Sequence, residues 1–443
     1  MNQRPSFTFL LFLILFVIFA TAPPSLAYEI VDDQAKSSII GSSLSTNGGC
    51  PYPLISLKST GLLPTNTSFC LNDCCLSCPI ANNFYKENQI DLVFHVLSVV
   101  RVISFICVLI IVVSYIVLPN KREHPAITVL CFNISLLIFT GVTFFYVGDI
   151  RKIQCADLIN QATMRNNALC GVQGIVVVFS TFLLILWCFL LILHLHFQTV
   201  WGSNIMQKFH LMSQILVIIL SVTFTILPSA MGKISFGFGA VCLVSPDFDK
   251  ILFWYPLAIF VIPGFLIHFC TFLFIGKSQF MGSLDYHDDS TIDLENSKSS
   301  GLLTNVSGQE IVRAIRVQWR ALMLALILLI TYVIYWTYVE VEVEKIKPKN
   351  FNPPQPWILN WLECIFINGM KGMNAQNICS SHAIGNVPKL SHLVVAESAT
   401  ATLGICIFII FGTSVDLWTE WKLYFINKFS SVSSRNSSES TLV

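Results

Sequence analysis

The chain has 443 residues, of which 54% are hydrophobic and only 12% charged. Soluble domains carry about 25% charged residues, so this composition excludes an ordinary water-soluble fold. Lys and Arg number 26 against 25 Asp and Glu, a formal net charge of +1, which points to no nucleic-acid partner and argues against bulk electrostatic attraction as a mechanism.

Residues 1–27 read as a signal peptide. Arg4 gives the positive start, 7–20 the apolar core, and Ser25-Leu26-Ala27 the small residues of a cleavage site. Cleavage there leaves the mature N-terminus outside the cytosol. Residues 28–91 read as a short extracellular region, too small to bury a core without covalent staples.

Seven apolar runs follow, at 91–118, 126–148, 170–197, 211–231, 251–275, 319–339 and 393–418. About 20 apolar residues cross the hydrocarbon layer, and every run reaches that length. Unpaired backbone groups are too costly in lipid for anything but helices or a closed barrel. Barrel strands are about 10 residues of alternating polarity, so these runs are helices. The expected fold is an all-α membrane protein: a seven-transmembrane helix bundle over 92–418, a disulfide-tied extracellular linker before it, and a cytoplasmic tail at 419–443.

The 15 cysteines support that topology. Cys50, Cys70, Cys74, Cys75 and Cys78 precede the first run. Cys155 and Cys170 lie between the second and third, Cys242 between the fourth and fifth, and Cys364 and Cys379 between the sixth and seventh. The stretches on the other side hold none. This pattern predicts an oxidising compartment on the N-terminal face and a reducing cytosol opposite, in a multi-pass protein of the plasma membrane with its N-terminus extracellular. Cys107, Cys131, Cys188, Cys270 and Cys406 fall inside the runs and read as small buried apolar side chains. The positive-inside rule does not decide the orientation, because Lys345, Lys347, Lys349, Lys371 and Lys389 crowd the last long outer loop. Asn66-Thr67-Ser68 is the one glycosylation sequon on the expected outer face.

The third inner loop is polar and serine-rich over 282–307 and reads as mobile. Residues 309–318 regain helical periodicity. The sixth helix is therefore expected to extend into the cytosol, carrying Arg313, Arg316 and Arg320 on neighbouring faces. The last outer loop, 340–392, contains Pro348, Pro353, Pro354 and Pro356 and reads as extended and irregular. The tail opens amphipathically at Trp421, Leu423, Tyr424, Phe425 and Ile426, as a segment lying along the inner leaflet would. There is no internal repeat, which counts against a transporter built from duplicated halves.

Cys50-Pro51-Tyr52-Pro53-Leu54, then Cys70 and Cys74, resembles the linker between ectodomain and helices in the Frizzled/Smoothened (class F) receptor family. Glu123-His124-Pro125 is similar to the family's Glu-Arg-Pro. Trp187, Trp201-Gly202, Phe209-His210-Leu211, Pro256-Leu257 and Gly264 continue the likeness, which covers about 50–421. The family's cysteine-rich domain spans over a hundred residues, whereas only 28–49 lie between cleavage site and linker. The resemblance is thus to a member lacking that domain. It implies the pairs Cys50–Cys70, Cys74–Cys155, Cys170–Cys242 and Cys364–Cys379, with Cys75 and Cys78 left to each other or to another chain.

The resemblance also implies two inner contacts. Thr413, Ser414 and Trp418 stand where the family recruits a cytosolic adaptor through Lys-Thr-x-x-x-Trp, with Thr413 in place of the lysine. Arg320 fits the family's basic position low on helix 6. Its tryptophan partner on helix 7 aligns with Ile410, which offers no π face to a cation. A lock through Arg320 would use other contacts, helix 7 carbonyls being the candidate.

Two charges fall inside runs. Arg101 sits about 13 Å into the first helix at 1.5 Å per residue, and Glu397 enters the seventh at a comparable depth. A charge there costs about 2.5 kcal/mol or more unless paired, so an Arg101–Glu397 ion pair lining a ligand cavity is expected, against the alternative that each reaches water separately. Ser398, Thr400 and Thr402 either line that wall or bond their own helix. His194 and His196, two apart, point to different faces of one helix and make no metal site. No phosphate loop, nucleophile elbow or zinc-protease helix is present.

The sequence therefore reads as a signalling receptor, not an enzyme, with no cofactor and no metal. Its expected partners are membrane lipid, an unidentified ligand of lipid or sterol type, and a cytosolic effector such as a heterotrimeric G protein. The alternative reading is a membrane transporter or channel.

Overall fold

The computed structural model describes residues 50, 52–65, 68–71, 73–118, 126–203, 205–288, 308–346, 355–371, 374–415, 417–426 and 428. The signal peptide at 1–27, the Asn66 sequon, the Glu123-His124-Pro125 motif and Pro348, Pro353 and Pro354 lie outside them.

Among the described residues, seven spans are long and apolar enough to cross a membrane. The first four are α1 (Gln89–Val117), α2 (Ala126–Gly141, prolonged by a 3-10 turn at Val142–Phe145), α3 (Ala168–Val200) and α4 (His210–Ala230). Next come α5 (Tyr255–Asp288, entered through a π turn at Lys250–Trp254) and α6 (Gly308–Val341). Two helices of the following loop, α7 (Pro356–Met370) and α8 (Ala375–Ala383), precede a seventh span made of α9 (Leu390–Ala401) and α10 (Leu403–Phe411).

The packing is a closed ring around α3. That helix buries 67% of its most apolar stretch, against 22–50% for the other six, and it touches α2, α4, α5 and α6. The seventh span closes the ring against α1 and α6. At Gly404 the α10 backbone lies directly on α1: its N–H donates to Ser104 Oγ (2.9 Å), and a Cβ there would stand 2.7 Å from Val108 Cγ2. Small residues permit such approaches where lipid supplies no hydrophobic drive. Many serine and threonine hydroxyls within the spans bond their own helices. Ser135, Thr140, Ser180, Ser221 and Thr225 all donate to a carbonyl one turn back. Thr400 and Thr402 do the same.

Several boundaries differ from expectation. α5 continues to Asp288, into the segment read as mobile. The loop read as irregular holds α7 and α8, because Pro356 occupies the first turn of α7, where its missing N–H has no helical partner to lose. The seventh run is not one helix to Trp418. It ends at Phe411, turns through Gly412 and Thr413, and resumes as a separate helix over 417–426.

Five disulfides join Cys50–Cys74, Cys70–Cys75, Cys78–Cys155, Cys170–Cys242 and Cys364–Cys379. The pairs Cys50–Cys70 and Cys74–Cys155 implied by the resemblance are therefore wrong, and Cys75 and Cys78 are not left over. The reason is strand register. An antiparallel sheet in the order β1 (Leu54–Ser56), β3 (Cys74–Leu76), β2 (Cys70–Leu71) places Cys70 directly opposite Cys75. Neighbours along a strand face opposite sides, so Cys74 is turned away from Cys70 and bonds Cys50. The chain leaving β3 then brings Cys78 to Cys155. Peptide mapping of the unreduced protein is expected to recover a Cys78–Cys155 peptide; a Cys74–Cys155 peptide would contradict this register.

A second small sheet, the hairpin β4 (Ile234–Phe236) and β5 (Cys242–Val244), links α4 to α5. Cys170–Cys242 ties it to the start of α3, and Gly174 on α3 leaves room for Ile234. The hairpin thereby lies over the bundle.

Candidate functional site

Beneath the hairpin is a cavity of about 120 Å³, lined by every span except α4 and by Val241 and Leu243 of the hairpin. Its body is apolar: Phe139, Leu184, Ile185, Phe253, Trp254, Leu257 and Leu328 supply most of the wall. A polar patch in the wall holds Arg101 and Glu397 with Tyr146 and Tyr335.

Arg101 and Glu397 form an ion pair. Arg101 is 8% exposed and Glu397 0%. Arg101 Nη2 donates to Glu397 Oε2, and Nη1 donates to the Tyr146 hydroxyl. Glu397 Oε1 accepts from the Ala240 backbone N–H (3.3 Å) and the Tyr335 hydroxyl (3.4 Å). The guanidinium also lies 5.9 Å from the Tyr146 ring centroid. One carboxylate thus collects contacts from α1, from the hairpin and from α6, while the turn after α2 supplies Tyr146 to the guanidinium. Buried charges are tolerated only with such pairing and hydrogen bonding. The pair neutralises itself, so it gives the cavity a polar patch without a net charge.

Gly239 makes the hairpin contact possible. Its φ is +143°, a conformation that favours glycine, and a Cβ on it would collide with Glu397 Oε1. Gly239→Ala is expected to push the carboxylate off Ala240 and to lower the melting temperature of the purified protein; an unchanged melting temperature would place the hairpin elsewhere.

The rim above is braced by a second cluster. Glu342, 1% exposed, accepts from Lys345 Nζ (2.8 Å) and the Lys389 N–H (3.0 Å) and bonds His392 Nδ1 (2.6 Å). Tyr85 donates to the Pro388 carbonyl (2.5 Å) and stacks on Phe238. Burial, then the Glu342 charge, raises the Tyr85 hydroxyl above its usual range, so it stays protonated and donating. Phe84 packs edge-on against Trp357 and Trp361 of α7, holding the loop helices to the linker.

The inner-face candidates are spread out. Arg313 and Arg316 lie near the start of α6, with side chains outside the described residues. Arg320 is half-buried low on α6 and makes no hydrogen bond to an α10 carbonyl among the described residues. Thr413 is exposed, Ser414 is buried, and Trp418 donates its indole N–H to the Gly412 carbonyl (2.8 Å). Trp421 donates to Ser114 Oγ on α1 (3.0 Å), which the sequence pattern gave no sign of. Tyr146, Gly239, Ala240 and Tyr335 also escaped sequence reasoning. Tyr332 and Tyr335, three apart in the sixth run, were the available signal for an aromatic wall with polar tips.

No family model matches the chain. It is 25% identical over 403 residues to G protein-coupled receptor gprM of Aspergillus fumigatus, covering 87% of this chain and 78% of that protein. It is 25% identical over 272 residues to Frizzled/smoothened-like sans CRD protein H of Dictyostelium discoideum, covering 57% and 49%. Over 235 residues it is 25% identical to Frizzled and smoothened-like protein K of the same organism, covering 49% and 40%. Its curated homologues are Frizzled/smoothened-like proteins and a fungal G protein-coupled receptor. The chain spans less than half the length of these two Dictyostelium relatives. Relatives and seven-span bundle together support a receptor embedded in the membrane.

Proposed function

We propose that this chain is a Frizzled/smoothened-like receptor that takes a neutral amphiphile into the cavity beneath the hairpin and relays its presence to a cytosolic effector. The observation that carries this reading is the Arg101–Glu397 pair in the wall of an apolar cavity: a charged ligand would have to break the ion pair, whereas the single hydroxyl of a neutral lipid or sterol can bond beside it without doing so. In this reading the disulfide face is extracellular, 1–27 is removed, 28–91 is an extracellular linker, Asn66 carries glycan, and 419–443 lies in the cytosol of a plasma-membrane protein.

The ligand acts only through its affinity difference between two helix arrangements. Glu397 joins α9 to α1, to α6 and to the hairpin, so a ligand that shifts it moves α6 against the seventh span. The effector face then comprises Arg313, Arg316 and Arg320 with Thr413, Ser414 and Trp418, and a heterotrimeric G protein is the leading candidate. The test is nucleotide exchange by a co-reconstituted heterotrimer. Receptor-dependent acceleration that responds to a neutral amphiphile is expected. No acceleration with any subtype removes the G-protein arm, and solute flux through sealed vesicles would favour a transporter instead.

A further inference from the structure

Toward the end of the bundle away from the disulfides, α3, α5 and α6 are tied by a chain of side-chain hydrogen bonds. The Thr271 hydroxyl donates to the Ile267 carbonyl (2.8 Å), so it accepts from His196 Nδ1 (2.7 Å). That fixes the tautomer and leaves His196 Nε2 to accept from the Trp201 indole N–H (3.3 Å). His268, fully buried on α5, donates through Nε2 to the Gln318 carbonyl of α6 (3.1 Å). Gln318 in turn donates through Nε2 to Thr199 Oγ1 of α3 (2.8 Å). Three helices are thus joined by polar contacts in an otherwise apolar region.

The network is incomplete. His268 Nδ1 and Gln318 Oε1 are both buried acceptors with no partner among the described residues. A buried acceptor left unmet is costly, so the closed arrangement is held by bonds that are partly offset by the groups it fails to satisfy. That makes it reversible, unlike the five disulfides, all at the other end. Between the two ends, α5 contains Pro263. Its missing N–H removes the helix bond to the Ile259 carbonyl, and it separates the cavity residue Leu257 from His268 and Thr271 below.

We propose that His196, Thr271, His268, Gln318 and Thr199 form a latch that holds the inner ends of α5 and α6 against α3, and that α5 hinges at Pro263 when it opens. Its use in relaying a signal rests on the receptor reading; its geometry does not.

The experiment measures the α3–α5 distance in the full-length protein in nanodiscs. Spin labels go on the exposed Gln198 and Lys277 by a chemistry that spares the native cysteines. Thr271→Val, which keeps side-chain shape, and Gln318→Leu are each expected to raise the long-distance population about threefold or more, the loss of one membrane hydrogen bond. His196→Leu should open the latch, and His196→Asn, whose amide N–H replaces that of Nδ1, should keep it closed. An unchanged distribution in Thr271→Val, or equal opening in His196→Asn and His196→Leu, overturns the proposal. No ligand or effector is needed, so a negative result leaves the receptor reading standing, and failure to find an effector leaves the latch standing.

Discussion

Glu397→Gln and Arg101→Leu are each expected to destabilise the protein by about 3–5 kcal/mol, the usual cost of leaving one member of a buried ion pair without its partner. The two losses differ in kind. Without Arg101 a carboxylate remains at 0% exposure, held only by the Ala240 N–H and the Tyr335 hydroxyl. Without the Glu397 charge the guanidinium keeps Tyr146 but has no counter-ion. The charge-swapped double variant, Arg101→Glu with Glu397→Arg, is expected to recover part of the loss. Thermal unfolding of the purified protein and yield at the membrane read both effects. A swap no better than either single change would mean that the residues act separately.

Removing the Cys170–Cys242 bond, as Cys170→Ser with Cys242→Ser, is the second large effect. A native disulfide contributes about 2–5 kcal/mol, and this one anchors β5 to α3 across a separation of 72 residues. The consequence reaches the cavity. Cys242 N–H donates to Gln173 Oε1 (2.9 Å), and two residues earlier the Ala240 N–H donates to Glu397. Freed hairpin ends would take Ala240 off the carboxylate and open the cavity roof. The expected result is a lower melting temperature together with weaker amphiphile binding. Lower stability with unchanged binding would show that the hairpin is a brace and not a lid.

The seven spans and the side on which the cysteines gather were legible because hydrophobic length and redox compartment act on composition alone. Arg101 and Glu397 were legible for a related reason: a lone charge in an apolar run demands an explanation. What the sequence hid depends on register and on loops. Cys74 and Cys75 are adjacent, and only the pairing of β2 with β3 decides which of them meets Cys70. α7 and α8 were masked by prolines that imply irregular chain, although Pro356 is at home in a first helical turn. Ala240 and Tyr335 reach Glu397 from a hairpin and another helix, and Tyr146 reaches Arg101 from a turn, at separations that no local pattern carries. The latch residues are likewise single polar side chains on three spans, each readable as a helix residue bonded to itself.

Saturable binding of a neutral sterol probe to the protein in nanodiscs tests the account most directly, comparing the unmodified chain with Leu184→Trp, which fills the cavity from α3. Overpacking of this kind costs about 1–3 kcal/mol, so retained folding is checked by the melting temperature. The account predicts saturable binding that the folded Leu184→Trp variant loses. Equal binding by both would place the amphiphile on the lipid-facing surface and contradict a ligand site inside the bundle.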